Sequence, residues 1–551
     1  LVAMLMALPR GLAAQASGSA APAPGTIDGR VTTPDGAGLA GALVTLEPGH
    51  EVDYTDANGA FAFHDLAAGV YTVTIRLGEL ESRAEDVRIE NGRGATVARQ
   101  LPRDFRVSMT TTVSAASKVQ QQRLEAPVAI DAVAEKTMAL EGGSGQIPAL
   151  LQTLPGAEFT QSGVYNMEFN TRGFNGALTR RVQILLDGRD LAAPESKNQD
   201  WLSVGFLLPE LENIEFVRGP AAALYGADAI NGVLAMTTKS PRGTPGGRIT
   251  LTTGELGTFI GDGRWAGALG GDWFGKIVVN RTSSSTFSQS RTQTTEYAGI
   301  PTEVIPAVVD TAATSVLARV DKYFSNGRQL VLEEAFTKSS GGTYLSQAGR
   351  LALDDSKRSW SRVALNAAHW TAQAYLNTRY ATQKALFAPV SYPTATLQFK
   401  AEAQGHQTFD RSRGRVVLGG SFLQEHVDSA DASGVQTLYQ RPVLTREGAL
   451  YSEVDYRLTD TLTATGALRF DSSTLYDRQI SPKAALVFLP ARDQSLHVGF
   501  SRGFQVGNYT ELFLNTPLSP PQNLSAIEAA FAPVLGGVSL GFGSVPVTAI
   551  G

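Results

Sequence analysis

From residue 246 onward, apolar and polar side chains alternate with a period of two. Leu462, Ala464, Gly466, Leu468 and Phe470 alternate with Thr463, Thr465, Ala467, Arg469 and Asp471. Just before them, Ser452, Val454, Tyr456 and Leu458 alternate with Glu453, Asp455 and Arg457, and only Thr459-Asp460-Thr461 separates the two runs, which predicts a tight hairpin. Trp370 to Asn377 and Leu496 to Ser501 repeat the pattern. Successive side chains of a strand point to opposite faces, so each run has one apolar and one polar face. That suits a membrane barrel with a wet interior. It equally suits a soluble sandwich or solenoid whose apolar face is core.

The connections between these runs are uneven. Residues 459–461 form a tight turn, whereas 281–311 and 427–443 are long and polar. In a membrane barrel the short turns face the periplasm and the long loops the exterior. Trp265, Trp273, Trp360 and Trp370 stand near strand ends, where interfacial girdles carry aromatics, although single ones are also common core residues.

Upstream the pattern changes. Residues 26–101 carry short alternating runs (Ile27, Gly29, Val31; Ala42, Val44, Leu46; Tyr71, Val73, Ile75) punctuated by Pro34-Asp35-Gly36 and Asp56-Ala57-Asn58-Gly59. Short strands with Gly, Pro, Asp and Asn turns read as a β-sandwich. Asp53, Asp56 and Asn58 hint at a calcium loop, but the twelfth position from Asp53 is His64 where a bidentate Glu is needed, so a hairpin turn is the better reading. Residues 102–125 are a polar, basic linker. Residues 126–240 mix both periods. Pro127 to Val133 reads as a strand. Ile147, Leu150, Leu151 and Leu154 form a helical stripe stopped by Pro155-Gly156. Gly219-Pro220 ends a strand, Ala221 to Leu224 favours one helical turn, Gly226 can end it, and Asn231-Gly232 predicts a tight turn.

Composition narrows the class. The 551 residues exceed one ordinary domain. Mean hydropathy is −0.07, and past residue 20 no run of apolar residues is long enough for a transmembrane helix. A β-barrel remains open, because its strands alternate and leave hydropathy near zero. With no cysteine, disulfide and thiolate chemistry are excluded. A net charge of −5 is too weak to point to nucleic acid. The start, LVAMLMALPRGLAAQA, has an apolar core and an Ala14-Gln15-Ala16 cleavage pattern, and reads as a signal peptide over 1–16 that lacks its beginning. No catalytic motif, metal-ligand spacing or cofactor site is legible, and adjacent acids such as Glu333-Glu334 face opposite ways on a strand. The expectation is no enzyme, no metal and no cofactor.

One stretch is more specific. Residues 214–239, IEFVRGPAAALYGADAINGVLAMTTK, resemble the end of the plug domain of TonB-dependent outer-membrane receptors through Glu215, Arg218, Gly219, Pro220, Tyr225, Gly226 and Gly232. LLQTLPG, the Phe169-to-Phe174 strand with Arg172-Gly173, and the Val182-to-Leu186 strand with Asp187-Gly188 are similar to three further plug segments, in the family's order. Residues 26–101 look like a carboxypeptidase regulatory-like domain, and Ser481 to Phe513 resembles a late barrel region, departing at Gln505-Val506-Gly507 where the family often has Arg and Pro.

The resemblance implies a mostly β fold: an N-terminal β-sandwich, an α/β plug at 126–240, and an incomplete antiparallel transmembrane β-barrel at 246–551. The full-length family has 22 strands, and the length here allows roughly 15. The chain therefore reads as a fragment. In the linker, Val107, Ser108, Met109, Thr110, Thr111, Thr112, Val113, Ser114 and Ala115 occupy the place of the family's TonB box, an extended peptide that adds a strand to TonB. A plain solvated linker is the alternative. Arg172 and Arg218 are expected to meet acids of the barrel wall. Loops 162–168, 174–180 and 192–203 are expected to be the plug's outward tips, with Tyr165, Asn166, Asn175, Arg180, Asn198 and Trp201 as ligand contacts, although each could be an ordinary loop residue.

The implied function is TonB-dependent import of a scarce nutrient, by default a ferric siderophore, across the bacterial outer membrane. The implied partners are the TonB complex, outer-membrane lipid and a small ligand, with the N-terminal domain in the periplasm. A glycan or peptide importer of the same family stays open, as does a carbohydrate-binding or adhesion module on a passive barrel.

Overall fold

The computed structural model describes residues 25–32, 38, 42–48, 51–56, 58–77, 80–90, 94–100, 112–113, 115, 118, 121–134, 137–138, 146–161, 165–173, 180–199, 201–204, 208–285, 296–297, 300–301, 310–324, 327–346, 349–385, 391–411, 413–491, 494–522, 524–531, 533–534 and 545–550. The chain divides into two compact units, Leu1–Thr111 and Thr112–Gly551. The expected signal peptide at 1–16 lies outside the described residues.

Among its described residues the first unit holds seven strands: β1 (Gly25–Thr32), β2 (Leu43–Glu47), β3 (Glu51–Tyr54), β4 (Ala60–Leu66), β5 (Gly69–Leu77), β6 (Leu80–Ile89) and β7 (Ala95–Gln100). They form a three-stranded sheet, β4-β1-β7, and a four-stranded sheet, β3-β2-β5-β6. Alternation decides the packing. Ile27, Val31, Val44, Leu46, Phe61, Phe63, Val73 and Ile75 all point into one core, which is how two sheets bury their inner faces. Asp56 accepts from the Asn58 and Ala60 amides at 2.8 Å each, and Asp53 accepts from Ala62 N at 3.0 Å. The turn is thus held by its own aspartates, but it is not the expected hairpin: β3 pairs with β2 and β4 with β1, so it carries the chain from one sheet to the other.

The second unit begins with β8 (Thr112–Val113), paired antiparallel to β9 (Gln121–Gln122). Its inner domain is built on a five-stranded sheet of β10 (Ala129–Ala134), β13 (Val182–Leu186), β14 (Arg189–Asp190), β15 (Leu211–Arg218) and β16 (Gly232–Thr238), in the order β10-β15-β16-β13-β14. The hairpin β11 (Ala157–Gln161) with β12 (Met167–Thr171) stands apart from it. The predicted helical stripe forms α1 (Ile147–Leu150) and then a 3-10 turn, Leu151–Thr153. It buries Ile147, Leu150 and Leu151 against Phe169, Phe216 and Leu234. Residues 187 and 188 have φ of 48° and 78°, so Asp187-Gly188 makes the two-residue turn that needs positive φ at both positions. The helical turn between β15 and β16 is α2 (Ala222–Tyr225).

Thirteen long strands follow, hydrogen-bonded antiparallel in sequence order: β17 (Gly246–Gly254), β18 (Thr258–Gly270), β19 (Trp273–Ser284), β20 (Thr311–Tyr323), β21 (Gln329–Ser340), β22 (Gly349–Asn366), β23 (Trp370–Ala385), β24 (Ser391–Phe409), β25 (Gly414–Asp428), β26 (Val443–Arg457), β27 (Leu462–Ser473), β28 (Gln479–Ala491) and β29 (Gln494–Ser501). β19 runs on to Ser284 and β20 starts at Thr311, so the loop expected over 281–311 is 285–310. The loop expected over 427–443 is 429–442. These two lie at the same end of the sheet, and the tight turn 458–461 lies at the other.

This sheet is inside-out compared with a soluble protein. Its exposed face carries Ile249 (80%), Leu251 (69%), Leu450 (70%), Val498 (70%) and Phe500 (64%). Its buried face carries Asp262, Lys276, Arg319, Glu333, Glu425, Glu453, Arg469 and Asp471. Burying charge while exposing a continuous apolar band is costly in water and natural in lipid. No helix among the described residues is long and apolar enough to cross a membrane. Trp265, Trp273 and Trp370 stand on the outer face, as expected. Trp360 does not: it is buried at 5% exposure, with the Arg189 guanidinium 4.0 Å above its ring.

Candidate functional site

The polar face of the sheet holds the inner domain from the first strand to the last. Near its start, Glu210 lies between Arg248 (2.7 Å), Arg264 (3.0 Å) and Lys276 (3.6 Å). Midway, Arg189 donates to Asn377 at 3.3 Å, the Asp190 amide donates to Tyr375 Oη at 3.3 Å, and Arg358 donates to Leu191 O at 3.0 Å. At the end, Ser501 donates to Pro220 O at 3.1 Å and Ser495 to Leu124 O at 2.8 Å. A sheet whose successive strands all grip one body must curve around it. Ions removed from water need such partners, and these are paired and hydrogen-bonded.

At the long-loop end, the hairpin-like turn after β14 and the chain after β29 meet. Glu195 is ion-paired to Arg379, and Lys197 Nζ lies 2.7 Å from Glu425 Oε1. Burial pulls the Lys197 ammonium down, but the Glu425 carboxylate and Tyr509 raise it above its ordinary value. Arg180 is buried, 2.5 Å from Glu511 Oε2, and donates to Val506 O at 3.1 Å. Glu511 sits in the first turn of α3 (Tyr509–Phe513), whose N-cap Asn508 forms a complete capping box with it. Asp228 accepts from the Val506 amide at 3.4 Å. Burial raises its carboxyl to about 6, although Lys197 and Arg180 pull it down.

Nearer the short-turn end, the linker is tied twice. Ala115 N donates to Glu215 Oε2 at 2.6 Å, and Tyr225 Oη donates to Ala115 O at 2.8 Å. Lys118 Nζ is ion-paired with Glu402 of β24 and lies 4.9 Å and 4.4 Å from the ring centroids of Tyr225 and Tyr451. Gln404 donates to Lys118 O at 2.8 Å. Burial pushes the Lys118 ammonium down to about 8, against the pull of Glu402. A cavity of about 520 Å³ opens beside this contact, between the inner sheet and strands β20 to β24. Ala115, Lys118, Ala235, Arg319, Arg362 and Lys400 are among its lining residues.

The sequence-derived residues fall into distinct groups. Glu215 and Tyr225 converge on the linker. Gly226 (φ 87°) lies under a wall arginine: a Cβ there would stand 2.7 Å from Arg469 Nη2. Gly232 lies against Val217 O, where a Cβ would stand at 2.2 Å. Pro220 and Gly219 follow β15 as expected. Arg218 departs from expectation. Its Nε lies 2.9 Å from Asp131 Oδ2 on β10 and its Nη1 donates to Pro155 O at 3.1 Å, so it ties the inner domain to itself and not to the wall. Asp131 is the cross-sheet neighbour of Phe216, within reach of a long side chain two residues on. Arg172 is exposed, with φ 62°, and its guanidinium lies over Gly219.

Among the expected tips, Met167 and Glu168 belong to buried β12, so the loop at 162–168 is shorter than expected. Burial raises the Glu168 carboxyl well above its ordinary value. Tyr165 is half-buried, and burial raises its hydroxyl above its ordinary value; Asn166 is half-buried. The Asn198 backbone carbonyl accepts from the Ala193 amide at 3.0 Å. Trp201 packs against the inner core and donates to Met167 O at 2.9 Å, which makes it a structural residue. Asn175, Ser114 and Val107 to Thr111 lie outside the described residues. Thr112 and Val113 form β8. The sequence reading missed Glu195, Lys197 and Glu210. All three are ordinary polar positions in the sequence, and only their wall partners single them out.

Comparison with known proteins now decides the family. The TonB-dependent receptor plug domain matches residues 122–233, the TonB-dependent receptor-like β-barrel matches 319–536, and the carboxypeptidase regulatory-like domain matches 26–102. The chain belongs to the TonB-dependent receptors. The inner domain is thus the plug, and the sheet of long strands is the barrel wall. The vitamin B12 transporter BtuB of Photobacterium profundum is 24% identical over 387 residues, covering 70% of this chain and 59% of that protein. The ferrienterobactin receptor of Escherichia coli K12 is 28% identical over 158 residues, 26% of this chain and 20% of that one. Among solved structures, the ferric enterobactin receptor PfeA of Pseudomonas aeruginosa superimposes with a TM-score of 0.57 at 17% identity, over 74% of this chain and 66% of that one. The alcaligin receptor FauA of Bordetella pertussis gives 0.54 at 15% identity, over 72% and 66%. The receptor described here spans less than two thirds of the length of these relatives.

Proposed function

We propose that this receptor imports a scarce nutrient across the bacterial outer membrane, energised by TonB. The carrying observation is the plug: a folded domain fills the lumen of an inside-out wall and is held there by ion pairs at both ends. A passive pore or adhesion platform has no use for such a stopper. Residues 107–115 serve as the TonB box, the short-turn end and the N-terminal β-sandwich face the periplasm, and the long-loop end faces outward. Ligand binds at that outer end, near Tyr165, Asn166, Asn175, Arg180 and Asn198.

The substrate is a ferric siderophore in this reading, supported by relatives and structural neighbours that carry siderophore names. A corrinoid is the second reading, because the BtuB relative aligns over the widest stretch quoted. The test is uptake in receptor-deficient cells supplied with the gene, using radiolabelled ferric enterobactin and cyanocobalamin, with and without TonB. Uptake of either that disappears without TonB supports import and picks the class. Surface binding with TonB-independent or absent uptake overturns it in favour of adhesion.

A further inference from the structure

We propose that Arg281, Lys338 and Lys357 bind the phosphate group of a lipid headgroup on the outer face of the wall, at its long-loop end. That this headgroup belongs to the outer leaflet rests on the import reading and its orientation. The cationic row itself stands on strand register.

Strand pairing fixes the row. Arg281 of β19 stands opposite Thr314 of β20, Thr314 opposite Lys338 of β21, Lys338 opposite Lys357 of β22, and Lys357 opposite Tyr380 of β23. Residues directly opposite share a face, and this face is the outer one: Arg281, Lys338, Lys357 and Tyr380 are all exposed. Arg281 donates to Thr314 Oγ1 at 2.7 Å, which holds its guanidinium in the row. Lys338 and Lys357 stand side by side with Cβ atoms about 5 Å apart, and like charges so placed repel. The acids of this face do little to relieve them. Lys357 Nζ lies 3.6 Å from Asp355, with both side chains open to their surroundings, and such a pair is weak. Asp354 is taken by Lys384 at 2.9 Å. Glu334 accepts from Ser361 lower on the wall. Lys338 has no ion-pair partner among the described residues. An anion set between the two ammoniums turns a repulsion into two charge-assisted contacts.

A lipid uses both halves of this surface, whereas a free anion uses only the upper half. The next outward positions toward the short-turn end are Val279, Val316 and Phe336, again in one row and all exposed. Cations thus stand directly above an apolar surface, which is the division of a lipid into anionic head and acyl chains. Tyr380, 64% exposed, closes the row with a ring that carries a hydroxyl, a residue type of membrane interfaces. The height agrees. From Leu330, at the short-turn end of β21, to Lys338 is roughly 26 Å of strand, or about 20 Å of height at a tilt of about 40°, comparable with the ~25 Å apolar band of such walls. The row therefore lies at the border of that band, where long cationic side chains reach headgroups while their stems stay on apolar surface.

Native mass spectrometry of the purified receptor in detergent tests the site, with diphosphorylated lipid A as the probe. The same lipid stripped of its phosphates serves as the comparison, and inorganic phosphate as the competitor. The expected result is binding of the phosphorylated lipid that weakens about tenfold in the Lys338→Gln/Lys357→Gln variant, the effect of losing charge-assisted contacts. Lys384→Gln, whose partner is Asp354, leaves binding unchanged. Equal binding by the native receptor and the double variant overturns the site. Equal binding of the stripped lipid overturns it too, because acyl contact alone then suffices. Displacement of the lipid by an equal concentration of inorganic phosphate overturns the lipid in favour of a free anion. A dimer mass without bound lipid overturns it in favour of a second copy of the chain. Should the double variant fail to fold, Arg281→Gln tests the row from its other end, with weaker lipid binding again expected. The assay involves neither uptake nor TonB, so a failure of the import reading leaves this outcome readable.

Discussion

Gly226 of the plug lies directly beneath Arg469 of the wall. A Cβ on Gly226 would stand 2.7 Å from Nη2 of that arginine, whose Nη1 donates to Leu224 O at 3.2 Å and whose Nε donates to Asp471 at 2.7 Å. The guanidinium is pinned from two sides and cannot retreat without losing a buried bond. Gly226 also has φ 87°, which a side chain resists. Gly226→Ala is therefore expected to cost about 1–3 kcal/mol. Hydrogen exchange should show the loss as faster opening around residues 222–232, with distant barrel strands unchanged. Unchanged protection in that segment would contradict it.

Glu210 faces three wall cations with its side chain 2% exposed. Glu210→Gln leaves those cations without their carboxylate, and breaking a buried pair from one side costs about 3–5 kcal/mol. The expected outcome is a plug that unfolds at lower denaturant than the barrel. A Glu210→Gln receptor with a single unchanged transition would show that the pairs add little.

Asp228 gives a pH dependence with a definite sign. Its carboxyl titrates near 6 in the folded receptor against an ordinary 3.8. The folded state then holds the proton more tightly, so this group's contribution is full below pH 4 and is lost as pH rises through 6. A two-unit shift would amount to about 3 kcal/mol in a dry site. The side chain is half-buried, so ~1–2 kcal/mol is expected. Subtracting the melting profile of Asp228→Asn from that of the native chain between pH 4 and 7 isolates the term. A difference that grows in the opposite direction would refute the assignment.

Trp201 separates structure from recognition at the outer end. Trp201 packs on the plug core and donates to Met167 O, so Trp201→Ala should lower stability by about 2–4 kcal/mol. Ligand affinity, measured where the variant remains folded, should stay within about twofold of native, since its ring is engaged inward. A large affinity loss at native stability would return Trp201 to the ligand contacts.

Much of the fold was legible because strand periodicity is a local property. Leu462 to Asp471 shows its two faces without any partner, and the structure places Leu468 and Phe470 outward and Arg469 and Asp471 inward. The turn at Asp187-Gly188, the stripe from Ile147 to Leu154 and the break at Gly219-Pro220 were legible for the same reason: each depends on backbone preferences of a few neighbours. The candidate site was less legible. Trp360 looks like a girdle residue until Arg189 is seen over it. Arg218 looks like a wall contact until Asp131 is seen across the sheet.

The sequence by itself determined the alternation, the turns and the order of a sandwich, a plug and a wall of strands. Only the tertiary structure decided which charges meet: Glu210 with Arg248 and Arg264, Lys197 with Glu425, Lys118 with Glu402. Periodicity is set by residues one and two apart, whereas the partners of Lys118 and Lys197 lie 284 and 228 positions away. Coulomb attraction depends on distance in space and on exclusion of water, and neither exists for these pairs until the wall has curved around the plug.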